Sequence, residues 1–352
     1  MASPAILRAA FDTLHFSGLT SVTRNFLRGR GSIFCLHHVC PGGGRQNGFF
    51  PNSKLEIEPE FLSAMITHVR NRGYETLSLA EAVGELQNAK PSKKPFAVFT
   101  LDDGYKDNQI YAQPIFDALN CPYTIFVAPR IAEGTCELWW RILELVIAKE
   151  DYIEGEVGDQ TFELATNSEK FKWAAWNVLL PLIEKLEENE QRQTIRHLAE
   201  CYKVDVDAYC RGVAMDWNDL RKINQDPLCT IGAHTVNHHS VGKMSSIDAA
   251  RELKESRAII SRELGEDIIF NAYPYGDVPN ATARDFRLAA EAGYRASLTT
   301  RKGIVVAGHG SHLQAIPRVM VSGRYQAMRY VDAMMSGLPT LLLNRFKTVN
   351  VS

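Results

Sequence analysis

Two carboxylates, Asp102 and Asp103, stand side by side at the end of the apolar run Phe96-Ala-Val-Phe-Thr-Leu101, with Gly104 and Tyr105 directly after them. Neighbouring residues of a strand point to opposite faces, but a glycine turn lets both acids reach one cavity at the strand's C-terminal end. Burying two acids is costly. A metal ion there would lower the cost and favour the ionised form of both. Capping the following helix is the plainer use of the same residues. His234 and His238 follow a second apolar run. Four apart on a turn of helix, two imidazoles face one side, the spacing used for zinc. One Asp with two His makes a three-ligand set that leaves room for water. A third run, Phe270-Asn-Ala-Tyr-Pro-Tyr-Gly-Asp277, reads as a strand ending in a Pro-Gly turn, which needs no chemistry. A fourth, Ser32-Ile-Phe-Cys-Leu-His37-His38-Val39, closes on a histidine pair that suits a packed core as well as catalysis.

These runs belong to a regular alternation. Apolar, β-branched stretches predict strands near Ser32 to Val39, Thr76 to Leu79, Phe96 to Leu101, Tyr123 to Ala128, Cys229 to His234, Ile268 to Tyr273 and Ala296 to Thr300. Between them, Pro59 to Arg72, Leu79 to Ala89, Asn108 to Leu119, Ile247 to Leu264 and Asn280 to Ala292 have helical apolar spacing. The alternation implies an α/β fold with a parallel sheet covered by helices, and about seven units favour a barrel over an open sheet. Residues 133–215 break the pattern with a mostly helical insertion after the fourth strand, whose only strand-like stretch is Gln160 to Leu164. Its Trp139, Trp140, Trp173 and Trp176 read as that insertion's core, or as the source of one flat face for a sugar ring. The expected divisions are an N-terminal helical segment 1–30, barrel segments 31–132 and 216–322 around the insertion, and a basic amphipathic tail 323–352.

The 352 residues suffice for one barrel with an insertion, and 45% hydrophobic with 23% charged residues is an ordinary globular composition. A net charge of −2 argues against nucleic acid as a partner. Seven scattered cysteines with no C-x-x-C pair read as free thiols in a reducing compartment. Arg8, Asp12 and His15 interrupt the early apolar run and no window is long and apolar enough to span a bilayer, so a cytoplasmic protein is expected. Both chain ends are basic, with seven Lys/Arg against Asp332 in 301–352 and four Arg against Asp12 in 1–30. Solvated helix faces account for this. Peripheral contact with an anionic membrane is the sharper alternative, through Met328, Val331, Met334, Met335 and Leu341 to Leu343 among Arg324, Arg329 and Arg345.

Together the motifs resemble those of the NodB-type polysaccharide deacetylases, carbohydrate esterase family 4. Thr100-Leu-Asp-Asp-Gly-Tyr105 resembles their TFDDG, His234-Thr-Val-Asn-His238 their H-[ST]-x-x-H, and Tyr273-Pro-Tyr-Gly276 the end of their third motif. The resemblance implies a distorted (β/α)7 barrel holding zinc or a similar divalent ion through Asp103, His234 and His238, with Asp102 as general base and the Tyr275 N–H facing the oxyanion. It implies removal of acetyl groups from an N-acetylglucosamine-type oligo- or polysaccharide, or from a lipid-linked sugar. Tyr105, Pro274, Tyr275 and Trp140 are the expected substrate contacts. Two departures stand out. The Arg that pairs with the base in most relatives is replaced by Ala272, so another cation is needed, and Arg318 in Ile316-Pro-Arg-Val is the candidate. No late Leu-x-His supplies the catalytic acid; Leu36-His37-His38-Val39 instead resembles the YHxV start of circularly permuted members, which makes His37 the acid and leaves His38 to pack against outer helices. His309 and His312 are the fallback. A related metal amidohydrolase acting on another C–N bond, and a sugar-binding member that has lost catalysis, are the competing readings.

Overall fold

The computed structural model describes residues 4–344 and 346–351. Its strands in chain order are β1 (Gly31–Leu36), β2 (His38–Val39), β3 (Glu56–Ile57), β4 (Glu75–Thr76), β5 (Phe96–Asp102), β6 (Tyr123–Val127), β7 (Tyr152–Val157), β8 (Gln160–Ala165), β9 (Cys229–Ala233), β10 (Phe270–Ala272), β11 (Ala296–Lys302) and β12 (Ile316–Met320). Seven form a closed parallel ring, β1-β12-β11-β10-β9-β6-β5, in which β5 pairs back onto β1 over its whole length. This is a (β/α)7 barrel of the expected class. Its membership differs from the sequence reading in one strand. β4 pairs only with the first two residues of β5, outside the ring, and β12 takes the missing place beside β1. β12 thus lies between β1 and β11.

β1, β5 and β6 are buried along their whole length, because helices cover the outside and side chains fill the inside. Period-two alternation sends Phe34, Leu36, Phe99 and Leu101 outward to the helix layer, while Ile33, Phe96 and Val98 join Phe126, Phe270 and Leu298 in a separate inner core. Gly232 on β9 is required by this filling: a Cβ there would meet the Phe126 ring at 2.5 Å.

Residues 133–215 carry their own apolar core, with Trp139, Trp140 and Trp176 in it. The segment is less helical than expected, because β7 and β8 form an antiparallel hairpin of which only the second strand was anticipated. The C-terminal stretch is not a free amphipathic tail. Its helices Met328–Met335 and Leu338–Leu343 pack on the N-terminal helices Pro4–Phe16 and Leu19–Leu27, and Val331 and Met335 are fully buried. The apolar side chains assigned to a membrane are thus partly consumed by the core, leaving Leu342 and Leu343 exposed; Arg345 lies outside the described residues. Among the described residues no helix is long and apolar enough to cross a membrane.

Candidate active site

The site lies at the C-terminal ends of β1, β5, β9, β10 and β12. Alternation places Cys35, His37, Thr100, Asp102 and Arg318 on inward positions. Asp102 is 2% exposed, and Arg318 is fully buried against it: Nη1 donates to Oδ1 and Nη2 to Oδ2, both at 2.7 Å. This is a bidentate guanidinium–carboxylate fork. Arg318 also donates to the Thr299 carbonyl and to Thr100 Oγ1, each at 3.1 Å. Burial alone would raise the Asp102 carboxyl. Arg318, and after it His234, outweigh burial and hold it below the usual carboxylate range.

Asp103 is positioned by backbone conformation. Its φ of 75° and that of Gly104, 71°, turn the chain sharply after β5, so the second acid reaches the same cavity as the first. It is not a helix cap. Asp103 Oδ1 lies 3.1 Å from His238 Nε2 and 3.5 Å from His234 Nε2. His234 follows β9, and its Nδ1–H donates to the Ala272 carbonyl of β10 at 2.6 Å, which fixes the tautomer with Nε2 toward Asp103. Position 272 thus contributes a main-chain oxygen to His234, and the cation beside Asp102 is Arg318. The two histidines do not ride a helical turn as expected. They span an irregular loop with Thr235 at φ 57° and His238 at φ 55°. These left-handed residues achieve what helical spacing was invoked for, a 5.0 Å approach of the two rings.

Asp103 Oδ1 and His238 Nδ1 are buried without hydrogen-bond partners. An orphaned carboxylate oxygen facing two imidazole nitrogens fits a divalent ion of the zinc class, whose ligands are these donor types. Burial would raise Asp103, but the two histidines that face it, His238 foremost, pull it well below its ordinary value.

His37 sits beside Asp102. One nitrogen of its ring, one oxygen of Asp102 and Cys35 Sγ lie within 4.8 Å of one another, and its Nδ1 is buried without a partner. Burial lowers its pKa, opposed by Asp103 and Asp102. His38 points away from the cavity, toward the helical segment that begins beside Asp107. Its Nδ1 lies 2.6 Å from Asp107 Oδ2 and its ring stacks on Tyr105 at 3.6 Å. His309 is remote from the site. It lies a few residues past Val305, which bridges Gly31 at the start of β1, and accepts the Val306 N–H.

The turn after β10 carries Tyr275 at φ 62° and Gly276 at φ 60°. Gly276 has no alternative, since a Cβ would meet the Thr300 nitrogen at 2.7 Å. The Tyr275 N–H makes no hydrogen bond within the described residues. Its hydroxyl accepts from Trp139 Nε1 at 2.7 Å, and Trp140 packs 5.0 Å from the His238 ring. Of the expected sugar contacts, Tyr105 and Pro274 are buried and Trp140 is only 8% exposed; Tyr275 is half-buried. Tyr105 and Trp140 thus wall Asp103 and His238 from behind.

Three participants escaped the sequence reading. Cys35 donates to Asp102 Oδ2 at 3.4 Å, and its place two residues before His37 was the available signal. Asp107 and Arg192, which donates to the His238 carbonyl at 3.1 Å, carry no local signal.

A family model described as polysaccharide deacetylase matches residues 89–297, from just before β5 to the start of β11, a segment that carries Asp102, Asp103, His234 and His238. The chain belongs to the polysaccharide deacetylase family. It is, by that family, a hydrolase of the C–N bond in N-acetylated sugars. Among solved structures it resembles the Streptococcus pyogenes deacetylase PplD in complex with acetate, at TM-score 0.56 and 16% identity, covering 86% of this chain and 97% of that one. It also resembles IcaB from Ammonifex degensii, at TM-score 0.53 and 16% identity over 88% and 98%. A de-N-acetylase from Aggregatibacter actinomycetemcomitans follows at TM-score 0.53 and 15% identity over 86% and 98%. At these identities the likeness is one of fold. No curated protein matches the chain by sequence.

Proposed function

We propose that this deacetylase is metal-dependent, removes acetyl from an N-acetylglucosamine-type saccharide, and works through Asp103, His234 and His238 as metal ligands. The observation that carries the reading is the convergence of this carboxylate and these two imidazoles beside a second carboxylate locked by Arg318. A divalent ion in that set, most reasonably zinc, would acidify water and polarise the acetamide carbonyl. Asp102, kept ionised by Arg318, accepts the attacking water's proton. The Tyr275 N–H, free of internal partners, donates to the oxyanion of the tetrahedral species. His37, beside Asp102, protonates the departing sugar amine, without which an amide expels a very poor leaving group. Products are acetate and a free amine. The seven unpaired cysteines fit a reducing, cytoplasmic setting.

The test is acetate release from chitooligosaccharides of graded length by zinc-loaded protein, paired with elemental analysis of the alanine variants of Asp103, His234 and His238. Each variant is expected to lose stoichiometric metal. Full metal content in all three, or no acetate from any acetylated saccharide, removes the proposal.

A further inference from the structure

A second cleft, of about 360 Å³, opens where the two ends of the chain meet. Arg8, Arg324 and Arg329 line it together with Gln46, Gln326 and Tyr330, and no acid is among its lining residues. Arg329 is satisfied: it donates to Asp12 Oδ1 at 2.6 Å and lies 4.5 Å over the Tyr330 ring. Among the described residues Arg8 donates to neutral oxygens alone, the Gln46 amide and the Arg324 carbonyl at 2.9 Å, and lies 5.9 Å from the Tyr325 ring centroid. The Arg324 guanidinium has no hydrogen-bond or acid partner among the described residues. A further cation stands nearby, since Lys54 is lowered first by burial and then by Arg324, with Glu184 opposing. Among the described residues Asp12 is thus the one acid ion-paired to any of these three guanidiniums. Like charges gathered around a concave, partly dry space repel unless an anion is admitted. Planar guanidinium forks match phosphate oxygens in particular.

The cleft's position says what would bring such an anion. Gly44 and Gln46 belong to the loop after β1 and β2, and Gly323 to Gln326 follow β12. β1 and β12 are the strands that carry His37 and Arg318, so the cleft opens at the catalytic end of the barrel. We propose that it binds a phosphate group and, resting on the deacetylase reading above, that this phosphate belongs to the substrate, an N-acetylated sugar carried as a glycosyl phosphate or diphosphate.

The experiment titrates zinc-loaded full-length protein with pyrophosphate, N-acetylglucosamine 1-phosphate and plain N-acetylglucosamine by calorimetry. The phosphorylated ligands are expected to bind at least about tenfold more tightly than the plain sugar, the range for charge-assisted hydrogen bonds. Arg324→Gln is expected to lose about tenfold in pyrophosphate affinity at unchanged melting temperature, while Arg262→Gln, on a remote exposed helix, loses nothing. Equal affinity for phosphorylated and plain sugar, or an Arg324→Gln variant that binds pyrophosphate as well as the parent, overturns the cleft. A vesicle arm separates the sources of phosphate. Binding to phosphatidylglycerol vesicles that is sensitive to Arg324→Gln, with no affinity for soluble phosphates, overturns the substrate assignment in favour of a membrane headgroup. Phosphate binding without acetate release from any sugar would remove the deacetylase reading and leave the cleft standing, so the two failures are distinguishable.

Discussion

Asp102 and Arg318 form a fully desolvated pair, and such a pair is worth more through what its breakage costs than through its net attraction. Arg318→Met is expected to destabilise the fold by about 3–5 kcal/mol, because the carboxylate stays behind uncompensated. Asp102→Asn/Arg318→Met, which removes both charges, should melt higher than Arg318→Met alone; a lower melting point refutes the pair as the cause. The pH consequence has a definite sign. With its folded pKa depressed, Asp102 contributes stability above its unfolded value of 3.8, and that stability is lost as pH falls through the folded value. In Arg318→Met the folded pKa rises, so the acid limb of kcat/KM moves upward in pH. An unmoved limb would show that Asp102 is not the base. His37 makes a different prediction. His37→Ala should retain metal and lose most turnover on an acetamide, with a smaller loss on an activated acetyl ester whose leaving group needs no proton. Equal losses on both substrates would reassign the acid.

Among the elements, the insertion touches the chemistry through Trp139. Trp139→Phe keeps an aromatic ring in the core but leaves the Tyr275 hydroxyl without its donor, and about a fivefold fall in kcat with KM and metal content preserved is expected, the worth of about one hydrogen bond. Trp176→Phe, buried in the same core without that contact, should change melting temperature only; a matching kcat loss would remove the positioning role. The turn bearing His309 supplies a separate pH probe. Burial lowers this histidine to about 4 from 6.5. The unfolded chain therefore takes up a proton that the fold refuses, and stability declines as pH drops from 6.5 toward 4 and then levels. His309→Gln should flatten that part of the stability curve in urea titrations at stepped pH. Legibility also differed by element. β1, β5, β6 and β9 announced themselves because strands buried on both faces are continuous apolar runs. β12 did not, since Pro317 and Arg318 interrupt Ile316 to Met320, and the arginine that hid the strand is the one that serves the site. β7 was missed because Glu154 and Glu156 fill its solvent face and leave little apolar signal. The proposed ligands were readable from type and spacing. Their local backbone was not, because left-handed conformations at Asp103, Thr235 and His238 fall on residues that are not glycine.

For the molecule as a whole, ring closure is late in the chain. β1 meets β5 early in sequence, but its other edge waits for β12. A chain ended at residue 315 is expected to retain every proposed ligand yet fail to fold cooperatively, giving a broad, early melting transition; a sharp transition at the parent temperature would contradict this. The same feature bears on how the protein is made. Asp102 leaves the ribosome 216 residues before Arg318, which at roughly 5–20 residues per second is an interval of roughly 10–40 s. Throughout it the nascent chain exposes an unpaired strand edge next to an acid with no counter-ion, the kind of surface on which chaperones act and on which crowded polysomes aggregate. Slower growth or added holdase should therefore raise soluble yield more than any change to the mature surface. Partial products of translation that end before β12 lack the cation that pairs with Asp102, and are expected to consume no substrate.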